Sequence, residues 1–513
     1  MGAASELARA QPLTAPRICC LDLDTFFVSV ERLLDPTLEG KPVVVGGQPG
    51  SRGVVTAASY EVRRLGVKSG MSLVEAGKLA PNAIYLPTRH EIYGTYAERV
   101  REIARRYAPT VLVASIDEMF LDFSGCERLY GWTGAANGNG GDVGDDRGPD
   151  AAIEGAVVRL TTMVFDELGL PSSAGIATSK VVAKVASALA KPRGVMLVPA
   201  GVERAVLAPL PVRSFPGIGP VGEAKLRAAG LETLGAVAEA PLADLQKIFG
   251  AWAASIARGV QGQGSGDLGR ERPAFAEHDP EGETVGSISN ERTFREDVTD
   301  PASIEAVLCG LCERVCWRAR KRHVKARTIT LKLRYADFHT LTRSHTTMAT
   351  SSELELYPIV KEMFAAARTR PLPIRLLGMQ LSNLGVFEQL SLFDRNERVG
   401  AVVDTIRERY GFETVSLATA QRDIRSGTLG GLALHSAPPP HPPAPALRAA
   451  SPNPPAKDSA RQASLRPLDH GEERVFAVQA ASVRAAPSGS NPRERTVHSS
   501  AVISKRFPLG SKK

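Results

Sequence analysis

The chain has 513 residues, 43% of them hydrophobic, and a formal net charge of +8. This length exceeds what one hydrophobic core usually organises, so several domains are expected, and the absence of any uninterrupted apolar run of about 18 residues argues against a membrane span. No charged region followed by an apolar signal core opens the chain, and six cysteines without a disulfide-like framework fit a reducing compartment; a cytoplasmic protein with no membrane partner is expected. The positive charge is unevenly placed: residues 431–513 hold 12 Lys and Arg against 5 Asp and Glu, whereas the first 430 hold 51 against 50. Any acidic partner of the folded part must therefore be met by a local patch.

Residues 1–16 read as a flexible leader. The apolar run Ile18–Leu21 then leads into Asp22-Leu23-Asp24, and the later run Val111–Ala114 leads into Ser115-Ile116-Asp117-Glu118. Each reads as a buried strand that ends in carboxylates, where Gly, Pro or Asn would be usual, and the pair points to one site on neighbouring strands. Taken singly, either cluster is more simply a solvated strand end. Together, three such carboxylates can hold two Mg²⁺ ions, hard cations that prefer oxygen ligands and can clamp both oxygens of a phosphoryl transfer.

Between the clusters lie a strand at Pro42–Val45, the Tyr60–Arg64 region and a helix around Tyr93–Tyr107. Residues 133–150 are rich in Gly, Asn and Asp; they read as a disordered insertion, since their acids lack the alternating spacing and terminal Glu of a calcium loop. A strand and helix follow over Ala174–Leu189. Phe215-Pro216-Gly217-Ile218-Gly219 precedes an Ala- and Leu-rich helix, so that Gly217 and Gly219 would let the backbone turn and offer N–H groups to a phosphate. Residues 266–284 are a polar tether. Residues 314–343 hold ten Lys or Arg against the single acid Asp337, and Thr328–Arg334 alternates apolar with polar residues, which places Lys332 and Arg334 on one strand face. Cys309, Cys312 and Cys316 recur at helical spacing and read as a buried stripe; no fourth ligand completes a zinc site. Beyond about Ala420 the chain is rich in Pro, Ala and Ser, as in disordered segments.

Five segments occur in a telling order: LDLDTFFVSVE at 21–31, SYEVRRLGVKSGM at 59–71, SIDEMFLDFSG at 115–125, AGIATSKVVAKVASALAKPRG at 174–194 and FPGIGPVGEAKL at 215–226. In these the chain resembles the Y family of DNA polymerases, the translesion enzymes, and within it the DNA polymerase IV-like branch; the likeness covers about residues 17–415. It implies an α+β, right-hand-like polymerase. The palm would be residues 17–25 and 89–198, the fingers 26–88, the thumb with a helix-hairpin-helix 199–265, and the little finger, an additional DNA-gripping α/β domain, 285–416; a disordered basic tail would fill 417–513.

The resemblance also implies roles. Asp22, Asp117 and Glu118, with the carbonyl of Leu23, match the family's metal-binding positions, and Asp22, Asp117 and Glu118 its catalytic set; one ion would activate the primer 3′-hydroxyl and the other hold the triphosphate. Asp24 would give structural support. Phe27 matches the aromatic residue that collides with a ribose 2′-hydroxyl, with Phe26 packed inward, and Tyr60, Arg63 and Lys191 match triphosphate contacts. Thr56-Ala57-Ala58-Ser59 departs from the family, since Ala57 lacks a hydroxyl that often touches the nucleotide. Gly217, Gly219, Arg320, Lys321, Arg322, Lys332 and Arg334 would contact primer-template DNA, and Gln389, Leu390, Leu392 and Phe393 look like the pentapeptide that binds the bacterial sliding clamp. The implied activity is low-fidelity, Mg²⁺-dependent translesion synthesis from deoxynucleoside triphosphates without proofreading, by a monomer. Two alternatives are a catalytically inactive family scaffold joining the clamp to repair proteins, which would lack the carboxylates present here, and a two-metal nuclease, which would have no use for Tyr60, Arg63 and Lys191.

Overall fold

A computed structural model describes residues 15–132, 148–266, 268, 286–386, 395–420 and 505–506. Most of the insertion expected at 133–150, and the pentapeptide 389–393, lie outside the described residues. Strand β1 (Ile18–Leu23) leads through Thr25, at φ 45°, into helix α1 (Phe26–Leu34). Strands β2 (Val43–Val45) and β3 (Ala57–Ala58), helices α2 (Tyr60–Arg63) and α3 (Leu73–Leu79) and strand β4 (Ile84–Leu86) form a small unit, in which β2 pairs antiparallel with β3 and parallel with β4. Val44, Val55, Val62 and Leu73 make its core. Phe26, Val28 and Val30 of α1 share one core with Val43, Val45 and Ala57 of this unit and with apolar residues of the large sheet, so the helix packs against both.

The chain returns through helix α4 (His90–Arg105), strands β5 (Thr110–Val113) and β6 (Glu118–Asp122), helix α5 (Pro149–Leu168), strand β7 (Ser172–Ala177), helix α6 (Lys180–Ala190) and strand β8 (Val195–Leu197). Helix α5 starts at Pro149, so the end of the expected insertion is helical, and Asp150 pairs with Arg17. The sheet runs β8-β7-β1-β6-β5, with Lys505–Arg506 paired outside β8. Both faces are covered, which is why β1 is apolar without alternation. Cys19, Leu21 and Leu23 face α1, α4 and α5, while Ile18 and Cys20, with Phe120 of β6, face α6. By this parity Asp22 and Glu118 point to the α6 side.

Helices α7 (Glu203–Leu207), α8 (Pro220–Ala228), α9 (Leu234–Glu239), α10 (Leu242–Phe249) and α11 (Ala253–Val260) form the thumb and continue the core on the α6 side. The last residue before the expected tether is fastened to the palm, where Lys180 N donates to Ser265 O at 3.3 Å, and Leu268 within the tether is buried.

In the little finger, strand β9 (Ser287–Val298), helix α12 (Pro301–Lys321), strands β10 (Lys325–Tyr335) and β11 (Thr340–Thr350), helix α13 (Glu353–Ala367) and strand β12 (Ile374–Gly385) form a sheet of order β11-β10-β12-β9 with helices on one face. Cys309, Cys312 and Cys316 are all buried there, and among the described residues no metal-ligating cluster gathers around them. Helix α14 (Arg395–Tyr410) brings Arg407 to the buried Glu313, which also accepts from Leu417 N; Ala420 is buried, so residues 417–420, expected to lie in the tail, are packed on the little finger. No helix among the described residues is long and apolar enough to cross a membrane.

The seat of α6 on the sheet is set at Gly175. A Cβ there would lie 2.1 Å from Ala183 O and 2.2 Å from Ser187 N, both backbone atoms that cannot yield. Gly175→Ala should therefore destabilise the protein by at least about 2 kcal/mol, measured by urea unfolding, an overpacking cost with no flexible side chain to absorb it.

Candidate active site

Asp22 and Glu118 sit directly opposite each other in the antiparallel β1–β6 ladder. Asp117 occupies the tight β5–β6 turn: Ala114 N and Ser115 N both donate to Glu118 O, and Leu23 N donates to Asp117 O at 2.9 Å, tying the turn to the end of β1. The second acidic cluster is therefore a turn and the first residue of a strand, not the end of one; the turn brings its acids back beside Asp22. Ser115 Oγ donates to Asp117 Oδ1 at 2.5 Å.

Two ammonium groups reach these acids from α6. Lys184 Nζ donates to Glu118 Oε2 at 2.5 Å, and Lys191, just past the helix, pairs with Asp22. The other oxygen of Glu118, Oε1, is buried without a partner. Burial pushes the Asp22 carboxyl up to about 6, against the pull of Lys191, and the negative charges of Asp117 and Glu118 add to the rise. Lys184 was not singled out by sequence; its place one helical turn after Lys180 on the apolar AKVASALA run is the only signal it offered. Asp24 is buried and fully engaged, accepting from Ser173 Oγ at 2.8 Å, Arg193 N at 2.8 Å and Tyr60 OH at 3.3 Å, a structural role.

A cleft of about 140 Å³ opens beside the acids, lined by Asp22, Asp117, Lys191, Phe27, Ala57 and Arg63 among others. Arg63, which lines the cleft, donates from Nε to Ala58 O, and its guanidinium lies 5.5 Å from the Tyr60 ring centre. Burial and the nearby Asp24 push the Tyr60 phenol up, so it stays a donor. Ala57 is buried at the wall, and the adjacent Thr56 hydroxyl donates inward to Val45 O. Phe26 is buried in the core as expected.

A second cleft, of about 490 Å³, runs from Lys184 to the thumb hairpin at Arg213–Gly219. Gly217 has φ 97°, a left-handed turn that suits glycine; Gly219 is extended at φ −81° and caps α8, with no contact nearer than 4.0 Å to a side chain placed there, so only the first needs glycine for its backbone. The basic run of the little finger divides. Ile329, Leu331 and Leu333 pack towards the helices, leaving Lys332 and Arg334 on the open face beside Thr342 and Thr340. Lys332 Nζ pairs with Glu291 at 2.7 Å and Arg334 Nε donates to Thr340 Oγ1 at 2.8 Å. Lys321 is exposed and Arg322 half-buried at the end of α12, on the helix layer. Arg320 is not available to a phosphate: its guanidinium is held by Glu353 at 2.5 Å and Asp404 at 2.7 Å and is largely buried. Arg320 was expected to touch DNA because sequence spacing on a basic helix does not show which acids a later helix brings.

The model of the impB/mucB/samB family matches residues 21–188, that of the family's C-terminal domain residues 285–392, and that of its HHH motif residues 202–231. DNA polymerase IV of Dehalococcoides mccartyi strain CBDB1 is 35% identical over 412 residues, covering 79% of this chain and 98% of the relative. The chain belongs to the Y family of DNA polymerases. DNA polymerase IV of Streptomyces coelicolor is 38% identical over 391 residues, 74% of this chain and 73% of that one. In fold, a Y-family DNA polymerase chimera of Dbh and Dpo4 matches at a TM-score of 0.59 and 24% identity over 72% of this chain and 98% of its own. This Y-family member is a DNA-directed DNA polymerase of the translesion class, enzymes that generally need divalent metal ions.

The position of Asp22 gives this site a pH dependence. A protonated carboxyl cannot ligate a cation, so with Asp22 as a ligand, the assignment proposed below, divalent-metal affinity of the DNA-free protein should hold above pH of about 6 and fall by about tenfold per pH unit below it. Mn²⁺ titration followed by calorimetry measures this.

Proposed function

We propose that this Y-family polymerase carries out template-directed nucleotidyl transfer at Asp22, Asp117 and Glu118, extending a primer on a DNA template with deoxynucleoside triphosphates. The observation that carries the assignment is the register of β1 against β6, which opposes Asp22 to Glu118 and hangs Asp117 beside them. The donor set fits a divalent cation: three carboxylates, one with a buried unpartnered oxygen, are compensated by two lysines that a metal could replace. In our reading Asp22, Asp117, Glu118 and the Leu23 carbonyl would hold two Mg²⁺, whose bound presence supplies Lewis-acid stabilisation to the attacking and leaving oxygens.

The chain's own groups then do the rest. Lys191, released from Asp22, meets the triphosphate with Arg63 and Tyr60, which bring a compact charge, a planar fork and a hydroxyl donor. Phe27 stands on the cleft wall as the sugar gate. Gly217 and the start of α8 contact a phosphate of the primer-template, joined by Gly219 at the cap, and the open little-finger face adds Lys332 and Arg334 among threonine hydroxyls, with Lys321 and Arg322 reaching the backbone from the helix end. Gln389, Leu390, Leu392 and Phe393 form the sliding-clamp contact of a polymerase that acts as a monomer; the segment's place between β12 and α14, both little-finger elements, supports it. The intact carboxylate set with its compensating lysines speaks against the inactive scaffold.

Asp117→Ala should lower primer extension with Mg²⁺ by at least about a hundredfold, the loss of several kcal/mol of charge stabilisation, while a primer-template binding assay and thermal unfolding stay close to wild type. Extension at the wild-type rate would remove the assignment. On the little finger, Lys332→Ala and Arg334→Ala should each weaken DNA binding and reduce the salt slope by about one, without loss of stability. Arg320→Ala should do the reverse, lowering the unfolding midpoint because it leaves the buried Glu353 with only Arg407, at 3.8 Å, and removes the charge opposite Asp404.

A further inference from the structure

Phe27 does not stand alone at the cleft. Its ring lies face to face with that of Tyr93, at a centroid separation of 4.1 Å and an interplanar angle of 17°, and His90 meets it edge-on at 5.9 Å. Tyr93 is fully buried behind the cleft wall, and its hydroxyl donates to Glu31 Oε1 at 2.5 Å. Glu31 lies one helical turn after Phe27 on α1, is only 3% exposed, and also receives the guanidinium of Arg89. Helix α1 thus carries both the gate ring and the carboxylate that fixes the plate behind it, while Arg89, His90 and Tyr93 come from the start of α4. A buried carboxylate with two donors is a costly arrangement unless all its partners stay in place, so the network resists displacement as a unit. Burial and the Glu31 charge push the Tyr93 phenol up, which keeps it protonated and donating.

A ring excludes a ribose 2′-hydroxyl only if it cannot retreat from it. We propose that Tyr93, anchored by Glu31 and Arg89, is a positioning residue for sugar selection: it removes the room into which Phe27 would otherwise withdraw when a ribonucleotide enters. The inference rests on the reading of Phe27 as the sugar gate. Glu31, Arg89, His90 and Tyr93 do not line the cleft; of the rings that do, Phe27 stacks on Tyr93 and Phe26 meets it edge-on at 6.4 Å, so the effect of the network on nucleotides passes through these two rings.

The test is steady-state insertion of dCTP and rCTP opposite template guanine by the full-length protein, compared as the ratio of the two kcat/KM values. Phe27→Ala should collapse the ratio. Tyr93→Leu should lower it by about threefold to tenfold, the worth of an aromatic stack, by speeding rCTP insertion and leaving dCTP insertion nearly unchanged. Tyr93→Phe keeps the ring and loses the anchor, and should fall between wild type and Tyr93→Leu. In the double variant Phe27→Ala/Tyr93→Leu the second change should add nothing. If the Tyr93 variants slow both nucleotides alike while Phe27→Ala still opens the gate, Tyr93 is only a core residue and the inference is overturned. An unchanged ratio in Phe27→Ala overturns the gate itself, and the inference with it. Should Tyr93→Leu fail to fold, Tyr93→Phe and Glu31→Gln decide: an unchanged ratio in both refutes the anchor.

Discussion

The antiparallel register of β1 on β6 is the constraint on which the rest of the site depends. It sets Asp22 opposite Glu118, and the parity of both strands turns the two side chains to the same face. Two carboxylates so placed, with Asp117 close by, repel one another, and burial adds to the cost of their charge. Helix α6 answers it. Its seat directly on β7 at Gly175 brings Lys184 to Glu118 and lets Lys191 meet Asp22 just past the helix end. Lys184 and Lys191 thus neutralise the acids to which the metal-binding role is proposed, standing where the proposed cations would act.

Around this centre the fingers and the palm face meet at Asp24, whose two oxygens tie Tyr60 of the fingers to Ser173 and the Arg193 backbone. The proposed sugar gate and the proposed phosphate contacts are therefore mounted on separate supports. Phe27 is backed by the α1–α4 network, whereas Tyr60 and Arg63 stand on the small finger sheet. A further link joins the fingers to the little finger, where Arg52 makes a two-pronged ion pair with Asp297 at 2.5 and 3.0 Å.

Much of this was legible in the sequence because the chemistry demands residues that local structure does not: acids after apolar runs, and a Phe pair one helical turn from them. The order of the five motifs carried the fold. What could not be read depends on distant pairing. Asp117 and Glu118 seemed to end a strand because the turn at Ser115–Asp117 contains no Gly or Pro to mark it. That helix α1 also packs on the palm depends on residues such as Tyr93, some sixty positions later. Arg320 looked like part of a basic surface until Glu353 and Asp404, on two later helices, were seen to enclose it. Gly219 matched a motif whose geometric need for glycine is met at Gly217 alone. The platform behind Phe27 was hidden for the same reason, since neither Glu31 nor Tyr93 differs in type from an ordinary helix residue.

Lys184 and Lys191 stand where the proposed cations would act. A structure with primer-template, Mg²⁺ and a non-hydrolysable deoxynucleotide tests it most directly. The account predicts metal density among Asp22, Asp117 and Glu118, with the Lys191 ammonium withdrawn from Asp22 to the triphosphate. An ordered nucleotide with the Asp22–Lys191 pair still intact and the metal bound elsewhere would contradict it.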